Sequence, residues 1–375
     1  MSQTIGVVGA GQLAQMLGEA APALDFNILA LANDADSCAK NTVKLVLGDE
    51  VDRQVIADFA QQVDILTFEH EHIKTDIFNN LNTPIYPNVA AVRIAQNRDL
   101  EKNFLKGLAI PVPPFVVVNS LAELEAAVVE IGYPCVIKTI EGGYDGKGQK
   151  VLKQKTDLAG IWRELKEASL IVEGWINFDR EVSLVAVRAI NGDIVFYPLS
   201  ENLHREGILR VSKAPYDDAK LQQLAEKYLT KIFEELDYVG VLTVEFFQCG
   251  AQLIANEMAP RVHNSGHWTI EGAQTSQFSN HLRAVSGQPL GSTKANGYSA
   301  MVNIVGQWPD KNKLKNLSWL HIHDYGKAPR VGRKLGHLTI VAETATERDE
   351  KLQKVLDILD SPSPALRATS PSRER

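Results

Sequence analysis

Val241-Leu242-Thr243-Val244-Glu245-Phe246-Phe247-Gln248-Cys249-Gly250-Ala251-Gln252-Leu253-Ile254-Ala255-Asn256-Glu257-Met258 contains two apolar runs around a short turn. A hairpin over 241–248 and 252–257 sets Glu245 and Glu257 about opposite each other on one face. Two carboxylates at that separation repel, and apolar neighbours argue against a solvated edge. A divalent cation resolves the conflict, and oxygen ligands select magnesium or manganese. Asn256 points the other way in a regular strand; a local twist would bring its amide oxygen into the site.

Upstream, Lys138 interrupts the apolar run Cys135-Val136-Ile137. A buried ammonium without a partner is costly, so either this strand is an edge or the lysine serves a ligand. Glu141-Gly142-Gly143-Tyr144-Asp145-Gly146-Lys147-Gly148-Gln149 follows at once. Four glycines within Gly142–Gly148 can turn several N–H groups toward one anion, and Lys147 adds charge. Such a loop can also close as a lid. A lysine, a glycine loop and a carboxylate pair together predict a site for ATP and magnesium.

The N-terminal ninety residues alternate strands, at 5–8, 28–31, 44–47 and 64–68, with helices, which predicts a parallel sheet. Gly9-Ala10-Gly11-Gln12-Leu13-Ala14 follows the first strand in the GxGxxG/A pattern, and Asp34 stands where a ribose-binding acid would sit. Alone, this segment suggests an NAD(P)-binding oxidoreductase. The motif is short, and the stronger nucleotide chemistry downstream favours some other phosphate-bearing ligand here, or a plain tight turn. Glu69-His70-Glu71-His72 ends the fourth strand, where open α/β sheets place ligands. The two histidines lack a cysteine or third partner, so zinc is not expected.

Further along, residues 97–108, 121–129 and 219–236 read as helices, and 135–140, 170–172 and 181–187 as strands. Beyond about 290 comes a smaller region with strands at 300–305 and 338–341 and a helix at 347–358. Residues 361–375, rich in Ser, Pro and Arg, are expected to be disordered. The net charge of -7 gives no global field for nucleic acid. Three scattered cysteines, Cys38, Cys135 and Cys249, fit a reducing compartment. Neither a signal peptide nor a membrane-spanning stretch is recognisable, so a cytoplasmic, soluble protein is expected.

Lys138, the glycine loop and the Glu245…Asn256-Glu257 hairpin, in that order, resemble the ATP-grasp superfamily. Thr67-Phe68-Glu69-His70-Glu71-His72, Arg261-Val262-His263-Asn264-Ser265-Gly266-His267-Trp268 and Gly332-Arg333-Lys334-Leu335-Gly336-His337 narrow the resemblance to the family of N5-carboxyaminoimidazole ribonucleotide synthases, over about residues 1–360. The resemblance implies an α/β ATP-grasp fold. A Rossmann-like parallel-sheet domain (1–92) would precede an ATP-grasp domain (93–290) with a lid subdomain near 113–170. An α+β part (291–360) would follow.

It also implies the site. ATP would be held by Arg98, Lys138, Gly143, Tyr144, Asp145, Gly146, Lys147, Gly148 and Gln149. The adenine linker Glu173-Gly174-Trp175-Ile176, the ribose partner Glu181, His204, Asn256 and Glu257 would complete that set. Glu245 and Glu257 would hold magnesium. Gln12, Leu13, Glu69, Glu71, Arg333 and Lys334 would face the acceptor, with Tyr144, Asp145, Lys147, Arg261, His263, Asn264 and Lys334 at the chemistry. Asp145 is the candidate proton acceptor. Lys147 stands where arginine is common, keeping the charge but losing the bidentate fork.

The implied reaction joins 5-aminoimidazole ribonucleotide to bicarbonate, with ATP split to ADP and phosphate through carboxyphosphate, in a homodimer that binds neither nucleic acid nor membrane. The nearest rivals are other ATP-grasp ligases, such as formate-dependent glycinamide ribonucleotide formyltransferase or biotin carboxylase.

Overall fold

The hairpin forms one edge of a nine-stranded sheet. The chain is described from a computed structural model, which covers residues 2–143, 148–154, 158–165 and 169–360. In spatial order the large sheet runs Gln252–Ala259, Gly240–Cys249, Arg180–Arg188, Ser200–Arg205, Ile208–Ala214, Tyr298–Val305, Lys334–Ala342 and Leu320–Asp324. Ile194–Phe196 pairs beside Arg180–Arg188. Every pairing in it is antiparallel.

This differs from the strand–helix alternation expected in mid-chain. Ser200–Arg205 and Ile208–Ala214 carry no apolar run on their polar face, yet both are strands. Their polar residues satisfy one another inside the fold: Ser212 donates to Asn202 Oδ1 at 2.7 Å, and Asn202 donates to Ser183 Oγ at 2.9 Å. Such a network makes a strand without apolar alternation.

The C-terminal region holds the strands and helix expected of it. Its described strands extend the large sheet, with Val211 opposite Val302 in the ladder, and build no sheet of their own.

One face of the large sheet carries Val182, Leu184, Leu242, Val244 and Phe246. They pack on the helix Ala219–Glu235 through Leu221, Ala225, Leu229, Ile232 and Phe233. That helix is fixed at its start by Asp218, whose side chain accepts from the N–H groups of Lys220 and Leu221. Val185, Val187 and Val241 instead meet Phe278, Leu282 and Val285 of the helix Gln277–Ser286 and Leu13, Met16 and Leu17 of the helix Gln12–Ala20. The N-terminal domain is thereby welded to the sheet by apolar burial.

That domain has four parallel strands in the order Lys44–Leu47, Asn27–Ala32, Thr4–Val8, Ile65–Phe68, as the alternation predicts. A third sheet is four-stranded and antiparallel, in the order Phe115–Val118, Leu170–Gly174, Cys135–Thr139, Gln149–Leu152. No described helix is long and apolar enough to cross a membrane. Residues 361–375, with the disorder expected of them, lie outside the described residues.

Candidate active site

A cleft of about 1450 Å³ runs between the three sheets and is lined by residues of all of them. On its floor Glu245 and Glu257 are direct partners in the ladder. The register then shifts, Phe246 pairing with Ala255, so that Asn256 is the extra residue of a bulge. This is the twist that brings Asn256 to the cleft beside Glu257.

Burial pushes the Glu245 carboxyl up to about 7; Glu257 and Glu181 add to the rise, and His204 opposes it. His204 sits between acids, its Nδ1 2.5 Å from Glu181 and its Nε2 4.0 Å from Glu245. Despite burial, those carboxylates hold the imidazole up to about 9, hence protonated at neutral pH.

His263 is different. Burial, with Arg261 and Lys334 nearby, drives it well below the usual range, so it is neutral. The Ser265 N–H donates to its Nδ1 at 3.3 Å, which leaves the proton on Nε2, 3.7 Å from Glu245. Asn264 trades amide hydrogen bonds with Asn303, at 2.6 and 3.1 Å, and so ties the 261–268 run to the C-terminal strands.

A carboxylate pair with an amide beside it is a hard-oxygen donor set. Among the described residues no group of three or more His, Cys, Asp or Glu side chains is arranged to hold a metal. Two carboxylates fit a magnesium ion that takes its other ligands from phosphates and water.

One wall of the cleft is carried by the third sheet and by the helix Arg98–Gly107. Arg98 donates to the carbonyls of Thr139 (3.0 Å) and Gly143 (3.3 Å), at the root of the glycine loop. Lys138 projects into the cleft and donates to Glu173 Oε2 at 2.8 Å. Glu173 itself is 2% exposed and does not line the cleft. Gly174 gives its N–H to the Pro114 carbonyl, while Trp175 is half open to the cleft. Ile176 and Gly148 are not brought to the cleft wall; Gly143 and Gln149 are. Tyr144, Asp145, Gly146 and Lys147 lie outside the described residues.

The N-terminal glycine loop serves a different purpose from the one its pattern suggests. The N–H groups of Gly11 and Leu13 both go to the Glu69 carboxylate, the latter at 2.9 Å. Gly9 has φ +104, and a Cβ there would lie 2.9 Å from Glu69 Oε2. A protein carboxylate thus occupies the donors that a dinucleotide pyrophosphate would need. Leu13 turns its side chain into the core, and Gln12 accepts from Lys327. Glu69 and Glu71 lie just beyond the strand and do not share one strand face. Glu69 faces the glycine loop; Glu71 receives the guanidinium of Arg261. Arg333 and Lys334 reach the same cleft from the start of Lys334–Ala342.

Two charged residues escaped the reading of the sequence. Lys102 and Glu101, adjacent on the helix Arg98–Gly107, are 1% and 3% exposed. Glu101 accepts from the Met258 N–H at 2.6 Å, and Lys102 donates to the Asn256 carbonyl at 2.6 Å. They occupy the free edge of the bulged strand. The available signal was their position on the same helical stripe as Leu105.

This fold and site define an ATP-grasp enzyme. The ATP-grasp domain model matches residues 103–278, the ribonucleotide synthetase preATP-grasp domain residues 1–96, and the phosphoribosylaminoimidazole carboxylase C-terminal domain residues 299–351. An N5-carboxyaminoimidazole ribonucleotide synthase of Pseudomonas aeruginosa is 48% identical over 345 residues, covering 91% of this chain and 96% of its own. The crystal structure of N5-carboxyaminoimidazole ribonucleotide synthetase from Thermus thermophilus superposes with a TM-score of 0.90 at 42% identity, covering 96% of this chain and 99% of that one. The Aspergillus clavatus synthase, in complex with ADP and 5-aminoimidazole ribonucleotide, superposes with a TM-score of 0.87 at 31% identity, covering 96% and 99%. The chain belongs to the N5-carboxyaminoimidazole ribonucleotide synthase family.

Proposed function

We propose that this enzyme carboxylates the exocyclic amine of 5-aminoimidazole ribonucleotide with bicarbonate, at the expense of ATP, in purine biosynthesis. One observation carries the reading. Arg98 and Lys138 for one phosphate-bearing ligand, and Arg333 and Lys334 for another, line a single cleft that also holds Arg261 and has the carboxylate pair on its floor.

The chemistry follows from the poor electrophilicity of bicarbonate. Its oxygen attacks the γ-phosphorus of ATP, ADP leaves, and carboxyphosphate forms. The substrate amine then takes the carboxyl carbon, either directly or as CO2 released in the closed site; inorganic phosphate departs and the amine loses a proton. Lys138 and Arg98 neutralise charge on the donor phosphates. Arg261 and neutral His263 offer N–H donors to bicarbonate oxygens, and Arg333 and Lys334 take the ribonucleotide phosphate. Asp145 is the residue we assign to accept the amine proton. Glu245 and Glu257 would hold magnesium, or manganese in its place, which supplies charge stabilisation to the transferring phosphoryl group. A closed lid excludes water from an intermediate that hydrolyses readily.

We also propose a cytoplasmic homodimer. The free cysteines Cys38, Cys135 and Cys249 support the reducing compartment, and the family resemblance supports the dimer. The direct test is coupled ADP release with defined substrates. Release that requires both bicarbonate and 5-aminoimidazole ribonucleotide is expected; release driven by formate and glycinamide ribonucleotide would overturn the assignment in favour of the formyltransferase.

A further inference from the structure

Lys102 is a lysine with almost no access to water, placed where three functional segments meet. Its ammonium donates to the carbonyl of Asn256, the bulge residue beside Glu257. It also lies 3.8 Å from Glu173 Oε2, the same oxygen that Lys138 holds at 2.8 Å. Glu173 Oε1 is buried and has no hydrogen-bond partner among the described residues. Lys138 and Glu173 belong to the third sheet, Asn256 to the large sheet, and Lys102 to the helix that also reaches the glycine loop through Arg98 and the Gly143 carbonyl.

This arrangement poses an electrostatic difficulty. Lys138 cannot give its full charge to a phosphate while it is bound to Glu173. If it leaves, Glu173 becomes a buried carboxylate that has lost its nearest cation, and a buried charge without a partner is strongly destabilising. The cost of releasing Lys138 would then be taken from the affinity for nucleotide.

We propose that Lys102 is a positioning residue that takes over Glu173 when Lys138 turns to the nucleotide phosphates. It starts close enough to do so, since about one ångström of approach turns the 3.8 Å contact into a charge-assisted hydrogen bond. It can keep the Asn256 carbonyl at the same time, because an ammonium has three donors. The lid lysine and the metal-binding hairpin are thereby linked through one cation: the same group that frees Lys138 holds the backbone beside Glu257. This rests on the reading of the cleft as an ATP site.

The experiment compares binding of magnesium β,γ-imido-ATP, without bicarbonate or acceptor, to the full-length protein and three variants. Lys102→Gln keeps a donor for Asn256 and removes the charge. It should raise Kd roughly tenfold, about 1.4 kcal/mol, while the KM for 5-aminoimidazole ribonucleotide stays within about twofold. Lys102→Arg should bind nearly as the wild type. Adding Glu173→Gln to Lys102→Gln should recover most of the lost affinity, because no buried carboxylate then holds Lys138.

Unchanged affinity in Lys102→Gln, or a double variant no tighter than Lys102→Gln, would overturn the handover. If Lys102→Gln does not fold alone, recovery of a folded protein by Glu173→Gln supports the pairing, and a double variant that stays unfolded counts against it. A wild-type protein without affinity for the analogue would instead overturn the nucleotide reading itself.

Discussion

Glu71 and Arg261, 190 residues apart in the chain, form a two-point ion pair, with Nε at 2.6 Å and Nη2 at 3.0 Å from the two carboxylate oxygens. Burial alone would raise the Glu71 carboxyl, but the Arg261 guanidinium outweighs it and holds the group at about 2. The folded-state value lies below the ordinary one near 4.5, so this pair's stabilisation is complete above about pH 4.5. It is lost as pH falls toward about 2. Urea unfolding of wild type and Glu71→Gln should differ by up to about 3 kcal/mol at about pH 7. The gap should narrow steadily below about pH 4.5; a gap independent of pH would show that the pair is not what separates them.

The carboxylate pair yields the sharpest prediction for turnover. Glu257→Gln, which removes one charged oxygen donor at nearly constant shape, should abolish ATP turnover, by a factor of roughly 100 or more. Chelation of divalent ions should silence the wild type, with recovery by magnesium or manganese. Unchanged turnover in Glu257→Gln would show that the metal assignment is wrong.

Arg333 and Lys334 should act on the acceptor alone. Alanine at either position removes a charge-assisted contact worth about 1.5–3 kcal/mol, so KM for 5-aminoimidazole ribonucleotide should rise roughly 10- to 100-fold. Affinity for nucleotide should not move. Steady-state kinetics with each substrate varied in turn separates the two effects, and an equal loss in both would place these residues elsewhere than on the ribonucleotide phosphate.

Gly9→Ala tests what the N-terminal glycine loop is for. The φ of +104 and the contact with Glu69 make any side chain there strained, at a cost of about 1–3 kcal/mol. The variant should unfold at lower denaturant, and neither it nor the wild type should bind NADH. Tight NADH binding that Gly9→Ala removes would restore the oxidoreductase reading.

Much of this site is legible in the sequence because its signals are local. The glycine loop, the lysine in an apolar run and the Glu245–Glu257 hairpin each announce themselves within a short stretch of chain. What stays hidden depends on partners far away in the chain. Lys102 reads as one more charge on a charged helix until Asn256, 154 residues on, supplies its acceptor. The N-terminal loop Gly9–Gly11 invites a phosphate because nothing nearby in sequence shows that Glu69 fills it. The strand Ser200–Arg205 has no period to detect, since its inward face is held by hydrogen bonds among Asn202, Ser183 and Ser212 rather than by apolar packing.

The ladder between Ile208–Ala214 and Tyr298–Val305 has a bearing on modularity. Linear order suggests a detachable tail piece that could be traded between enzymes as a cassette. Yet that ladder makes Lys334, with Arg333 directly before it, part of the same plank as Glu245, so the span between those side chains is set by one sheet. Cutting the chain before Tyr298 would also strip the neighbour from Ile208–Ala214 and leave a raw strand edge, the kind of surface on which truncated proteins stick together.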